Sequence, residues 1–296
     1  MRSLIVSYGT LAIVMLLWSG NMIVGRAVHE AVPPFTLAFV RWTGASLLAL
    51  PFALRHLASD RRILVANWKI VLLLGLTGVA AFNALAYSGL HHTTATNAML
   101  LQASVPAFVL LANWLFFGTR ARLLQICGVM ASIAGVVLIV LRGDPLAILG
   151  LGVNSGDLLI LCGAISWGAY TSLLKLRPPV HPLTFLLATF MIGALAMAPL
   201  CATELAHGAT VTLNKGVIGA FAYVAVLPSL VAYHLYNGAV QDLGAGRAGQ
   251  TITMTPLFGA LLAAVLLGEA LHPYHLAGMT LILAGIAIGA WRGRPS

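Results

Sequence analysis

Apolar residues along this chain fall into long blocks rather than into the stripes of a water-soluble helix. Ten such runs occur, at 8–28, 33–54, 69–90, 93–117, 122–141, 157–175, 183–202, 215–237, 245–267 and 273–291. A helix of about 20 apolar residues rises about 30 Å, the thickness of the hydrocarbon core of a bilayer. Each run therefore predicts a membrane-spanning helix, and the connections are too short to hold a soluble domain. The predicted fold class is an all-α integral membrane protein of ten transmembrane helices.

The blocks repeat. With an offset of 150, residues 81–143 align without a gap onto 231–293: Pro106 meets Pro256, Gly118 meets Gly268, Gly128 meets Gly278, and both copies end in Arg-Gly. Upstream the offset is 149, so that Trp18 meets Trp167, Pro33 meets Pro182 and Gly44 meets Gly193. The expected organisation is a first five-helix repeat at 1–143, a connecting loop at 144–155 and a second five-helix repeat at 156–296. Five is odd, so the second copy enters the membrane from the opposite side. Inverted repeats of this kind build many secondary transporters, with a site near the midplane at the repeat interface.

Charge orients the helices. Of sixteen Lys and Arg, twelve fall on the side of the N-terminus and three on the other, with Arg41 inside a span. The positive-inside rule then puts both termini in the cytoplasm. The formal charge of +9 is accounted for by topology, and nothing in the pattern suggests nucleic acid. Composition agrees: 60% of residues are hydrophobic and 8% charged, against roughly 25% charged in a soluble domain. Cys127, Cys162 and Cys201 all lie in apolar spans and read as small buried thiols.

Polar groups inside the spans carry the chemistry. Asn83 and Tyr87 are four residues apart, as are Tyr233 and Asn237, and the repeat superposes the two pairs in swapped order. Each pair occupies one helical face. Asn21 likewise aligns with Tyr170, three residues after Trp18 and Trp167. A polar side chain has no partner in lipid, so these faces look toward other helices or water. The first, third, sixth and eighth helices thus present aromatic-plus-amide faces, suited to an amphipathic small molecule. The candidate substrate-binding set is Trp18, Asn21, Asn83, Tyr87, Met99, Gln102, Trp167, Tyr170, Tyr233, His234 and Asn237. Pro106 and Pro256 interrupt the backbone ladder of the fourth and ninth helices and are candidate gating positions. Arg41 is an intramembrane charge, either capping helix carbonyls or attracting a substrate carboxylate, with Asp157 as a possible partner.

Several segments resemble a known family. "WSGNMIVGRA" at 18–27, "PPFTLAFVRW" at 33–42, the two central prolines and "GEALHPYHLAGMTLILAGI" at 268–286 are similar to the EamA-type repeat of the drug/metabolite transporter superfamily. The first repeat departs from the pattern, with Gly118-Thr119 where the second has Gly268-Glu269. Within the superfamily the resemblance extends to the YddG-type amino-acid exporter branch. It implies an inner-membrane secondary transporter that exports small metabolites by alternating access, with aromatic and other neutral amino acids as the leading substrates. A multidrug or cation exporter and a nucleotide-sugar or sugar-phosphate exchanger are the alternatives. An integral-membrane enzyme is the reading of another class. Against it, the seven acids all lie near helix ends, and no Walker, Rossmann or nucleophile motif occurs in its proper context. No cofactor and no metal are expected. The expected partners are a small-molecule substrate and the lipid bilayer, with no nucleic acid and with the oligomeric state open.

Overall fold

The computed structural model describes residues 4–90, 92–93, 95–150, 154–267 and 271–290. Among them are helices only, α and shorter 3-10 or π turns, with no strand. The main elements are α1 (Leu4–Ala27), α2 (Pro34–Ala66), α3 (Trp68–Leu90), α4a (Ala95–Gln102) and α4b (Val105–Phe117), α5 (Leu123–Val140), α6 (Ser155–Leu173), α7 (Pro182–Ala206), α8 (Lys215–Leu243), α9a (Ala245–Gln250) and α9b (Met254–Leu267), and α10 (Pro273–Ala290). Among the described residues nine helices are long and apolar enough to cross a membrane. The run at 245–267 is interrupted by a 3-10 turn at Thr251–Thr253, between helical pieces of 6 and 14 residues. The run at 93–117 is broken at the equivalent place, just before Val105. Pro106 and Pro256 sit in the first turn after each break, where a missing N–H costs nothing and the fixed φ starts a helix.

Two helices outrun their apolar blocks. α2 continues through Arg55, Asp60, Arg61 and Arg62 to Ala66, and α8 continues through Gln241 and Asp242 to Leu243. Hydropathy marks where a helix leaves lipid, not where its hydrogen bonds end.

The packing carries the repeat. α5 and α10 run antiparallel at backbone contact: a Cβ on Gly128 would lie 2.5 Å from the Gly285 carbonyl oxygen, and one on Gly135 2.6 Å from that of Gly278. Under the 150 offset Gly128 corresponds to Gly278 and Gly135 to Gly285, so each helix offers its partner the same surface in reverse. Ser132 donates to the carbonyl of Ile282, its own counterpart in the repeat, at 3.3 Å. Small residues permit this approach, which supplies the dispersion and hydrogen bonding that drive helix association in lipid. The other helix pairs also correspond under the repeat. α2 packs on α7, α1 on α8 and α9b, and α6 on α3 and α4b. An acid closes each end of the α2–α7 pair. Glu204 accepts from the N–H groups of Phe35 and Thr36 at 2.9 and 2.7 Å, and Asp60 accepts from that of His181 at 3.0 Å. Each carboxylate satisfies orphan donors at the positive end of the other helix.

Candidate functional site

Midway along α3 and α8 the α-helix widens into a π turn, at Leu76–Ala81 and at Val226–Val231. The two turns are separated by 150 residues, so the repeat copies this feature to the residue. A π turn leaves a carbonyl out of the ordinary ladder, which is why such turns recur at functional sites. Here the spare carbonyls are taken by side chains from other helices. Thr77 accepts from Ser166 at 2.9 Å and Gly78 from the Tyr233 hydroxyl at 2.8 Å; within α3, Val79 accepts from Asn83 at 2.7 Å. In the second turn Pro228 accepts from the Trp18 indole at 3.0 Å and from Arg41 at 3.3 Å, and Arg41 also donates to the Ser229 hydroxyl at 2.6 Å.

Between the two turns lies a layer of rings. Trp18 and Trp167, counterparts in the repeat, meet edge to face with centroids 5.1 Å apart. Tyr233 and Tyr236 pack against both indoles at 5.2 to 5.9 Å. Trp42 of α2 and Phe190 of α7 close the layer at 5.4 and 5.6 Å from Tyr233. Three donors in this layer are buried and unbonded: the indole N–H groups of Trp42 and Trp167, and the side-chain amide of Asn237. The Tyr236 hydroxyl, which shares a bond with Thr171 at 2.9 Å, lies beside the Trp167 indole but outside good bonding geometry to it.

Below the rings, three consecutive residues of α6 tie it to its neighbours. Tyr170 donates to the Asn237 carbonyl oxygen at 2.7 Å, Thr171 shares a bond with Tyr236, and Ser172 donates to Asn113 at 3.0 Å. Tyr170, Thr171, Tyr236 and Asn237 are all buried.

The predicted residues therefore divide. Trp18, Asn83, Trp167, Tyr170, Tyr233 and Asn237 come together in and around the ring layer. Tyr87 and Asn21 are half-buried nearer the opposite ends of α3 and α1, and among the described residues neither side chain makes a hydrogen bond. Met99 and Gln102 are half-buried on α4a. His234 departs from the expectation. It is exposed, because the buried set at 233, 236, 237 and 240 turns position 234 to the outer face of α8. Arg41 also departs in one respect: its partners are Pro228 and Ser229, whereas Asp157 accepts from Thr93 and from the backbone N–H of Asn154. Gly268-Glu269 lies outside the described residues. Sequence reasoning missed Trp42, Ser166, Thr171 and Ser229. The signal available for Ser229 was its place beside Pro228 inside an apolar run. Among the described residues no three His, Cys, Asp or Glu come together as a metal site.

The EamA-like transporter family matches this chain twice, over residues 6–141 and 154–290. The chain belongs to that family. A protein named "Uncharacterized transporter" of Archaeoglobus fulgidus is 30% identical over 279 residues, covering 93% of this chain and 94% of that protein. The "Uncharacterized inner membrane transporter YedA" of Escherichia coli K12 is 26% identical over 300 residues, covering 97% of this chain and 91% of that one. A crystal structure of a protein shares the fold with a TM-score of 0.78 at 21% identity, covering 97% of this chain and 96% of that chain. This EamA-like protein is thus a membrane transporter, and its family points away from an enzyme.

Proposed function

We propose that this EamA-like protein is a secondary transporter of the bacterial inner membrane that exports small metabolites, with aromatic and other neutral amino acids as its substrates. Its ten segments form two inverted five-helix repeats with both termini cytoplasmic. The antiparallel, self-complementary pairing of α5 with α10 supports the inversion. The excess of Lys and Arg on one side supports the orientation. Substrate binds in the ring layer. The single observation that carries this reading is the set of buried, unspent donors at Trp42, Trp167 and Asn237 among aromatic walls. A buried N–H without an acceptor is costly, and it seeks one. A carboxylate supplies that acceptor, and an apolar or aromatic side chain packs against the rings as they part to admit it.

Alternation follows from the repeat. Tyr170 and Asn237 form a bonded pair in the inner third of α6 and α8. Their counterparts, Asn21 and Tyr87, stand unbonded in the outer third of α1 and α3. In this state the inner pair is closed and the outer pair is open. Transport exchanges the two, with the π turns and the breaks before Pro106 and Pro256 as the deformable points.

Counterflow in proteoliposomes tests the reading against a panel of amino acids, lipophilic cations and nucleotide sugars. Exchange of radiolabelled aromatic or neutral amino acids is expected. Failure of every amino acid alongside transport of another class would overturn it.

A further inference from the structure

On the inner side, below the Tyr170–Asn237 pair, a crevice of about 610 Å³ opens between the α4b–α5 turn, the end of α6 and the α8–α9a turn. Among the described residues five cations line it, Arg120, Arg122, Lys175, Arg177 and Arg247, and no Asp or Glu does. Among the described residues none of the five has a carboxylate within ion-pair distance. Lys175 lies over the Phe117 ring at 4.7 Å, and Arg177 spends one N–H on the carbonyl of Val180 at 3.3 Å. The Nε groups of Arg177 and Arg247 are buried without an acceptor. Fixed positive charge with unspent donors calls for an anion.

A second, apolar groove of about 350 Å³ lies next to the crevice, on the membrane-facing side of α4b and α5. Leu111, Trp114, Ile126 and Met130 line it and are exposed. Leu110, Arg120 and Ala121 line both spaces, so the basic crevice and the apolar groove adjoin. A free cytoplasmic anion has use for the first and none for the second. One kind of molecule uses both: an anionic headgroup attached to an acyl chain.

We propose that this composite site binds an anionic phospholipid of the inner leaflet. Its phosphate sits among Arg120, Arg122 and Arg247, and one acyl chain lies along the groove between α4b and α5. The choice of leaflet rests on the orientation proposed above. The lipid bridges the two repeats, because Arg120 and Arg122 belong to the first and Arg177 and Arg247 to the second. It therefore loads the inner end of the molecule, where the helices separate when the Tyr170–Asn237 pair opens.

Native mass spectrometry of delipidated protein, supplied separately with dioleoyl phosphatidylglycerol, dioleoyl phosphatidylcholine or inorganic phosphate, tests the site. Phosphatidylglycerol retention should exceed that of phosphatidylcholine. Arg120→Gln with Arg247→Gln should lower it by about fivefold for each charge removed. Ala107→Phe, which fills the groove without changing charge, should lower it as well. On unaltered protein, raising salt should release phosphatidylglycerol, which keeps the test decisive if a variant misfolds. Equal retention of both lipids, or retention indifferent to salt and to both variants, would overturn the proposal. So would inorganic phosphate displacing phosphatidylglycerol at equal concentration, which would mark a site for a small soluble anion. Retention is read without transport, so failure of the amino-acid reading leaves this result standing.

Discussion

In the orientation proposed above, the inner and outer ends of this transporter are built from repeat-equivalent positions and have unequal chemistry. At the inner end Tyr170, Thr171 and Ser172 each make a hydrogen bond to another helix, at 2.7, 2.9 and 3.0 Å. Their counterparts at the outer end are Asn21, Met22 and Ile23, and the counterpart of Tyr236 is Ala86. Only one of the three inner bonds, Tyr170–Asn237, can be reproduced outside, by Asn21 with Tyr87. The duplication thus preserved the backbone, down to two π turns in register, while the side chains diverged. On the alternation proposed above, at about 0.5–1.5 kcal/mol net for each bond, the two unmatched bonds bias the protein toward the inner-closed form. A substrate bound at the site proposed in the ring layer would have to offset that bias for the inner side to open.

The π turns differ in the same sense. The first is held by neutral groups, Ser166, Tyr233 and Asn83, whereas the second is pinned by the Arg41 guanidinium and the Trp18 indole. A charged donor makes the stronger bond. The first turn therefore lacks a charged tie, and the glycine within it gives the largest expected effect. Tyr170 packs directly on Gly78, and a Cβ there would lie 2.3 Å from the tyrosine ring. Gly78→Ala should displace Tyr170, break its bond to Asn237 and destabilise the protein by about 1–3 kcal/mol as an overpacked site. Chemical unfolding in detergent measures the cost. Wild-type stability in this variant would mean that Tyr170 is free to move and that the inner pair is not a tight closure.

Asn237→Ala comes next. It leaves the Tyr170 hydroxyl, on a residue 1% exposed, without its acceptor. An unsatisfied buried hydroxyl costs about 1–3 kcal/mol, toward the lower end here because only the hydroxyl is stranded and no ring is displaced. The variant should also weaken substrate exchange, since it removes one of the three unspent donors of the ring layer. Unchanged apparent affinity in counterflow would separate the inner closure from the binding site.

Much of this was legible in the chain itself. Block-like hydropathy marked the spans, and matched Pro and Gly positions marked the repeat. Residues that mattered as pairs, such as Asn21 with Tyr170 and Asn83 with Tyr233, stood out because polarity in an apolar run is informative twice over when the repeat copies it. Thr171 and Ser172 were not legible, since small hydroxyl residues pass unnoticed in apolar helices, where they commonly bond back to their own turn. The π turns were hidden for another reason. "LTGVAA" and "VLPSLV" share no residue at any matched position, so the copy survives in shape and not in letters. His234 was misread because it adjoins Tyr233, and adjacency in sequence is a rotation of about 100° on a helix.

The smallest expected effect is the sharpest test of the asymmetry. Tyr87 is half-buried, and its hydroxyl makes no hydrogen bond in this state among the described residues. Tyr87→Phe therefore removes nothing that holds the inner-closed form together, and stability should stay within about 0.5 kcal/mol of the wild type. Transport should nonetheless slow several-fold, because Phe cannot bond Asn21 when the outer end closes. Accessibility supplies the independent reading, in a background with Cys127, Cys162 and Cys201 replaced. In the resting protein a cysteine at position 87 should react with a water-soluble maleimide and one at position 237 should not. Substrate should then slow the first reaction and speed the second. If Tyr87→Phe costs as much stability as Asn237→Ala and leaves transport intact, the outer tyrosine is a structural group in a bonded environment. The two ends then do not exchange roles, and the duplicated pair loses its meaning as a pair of alternating closures.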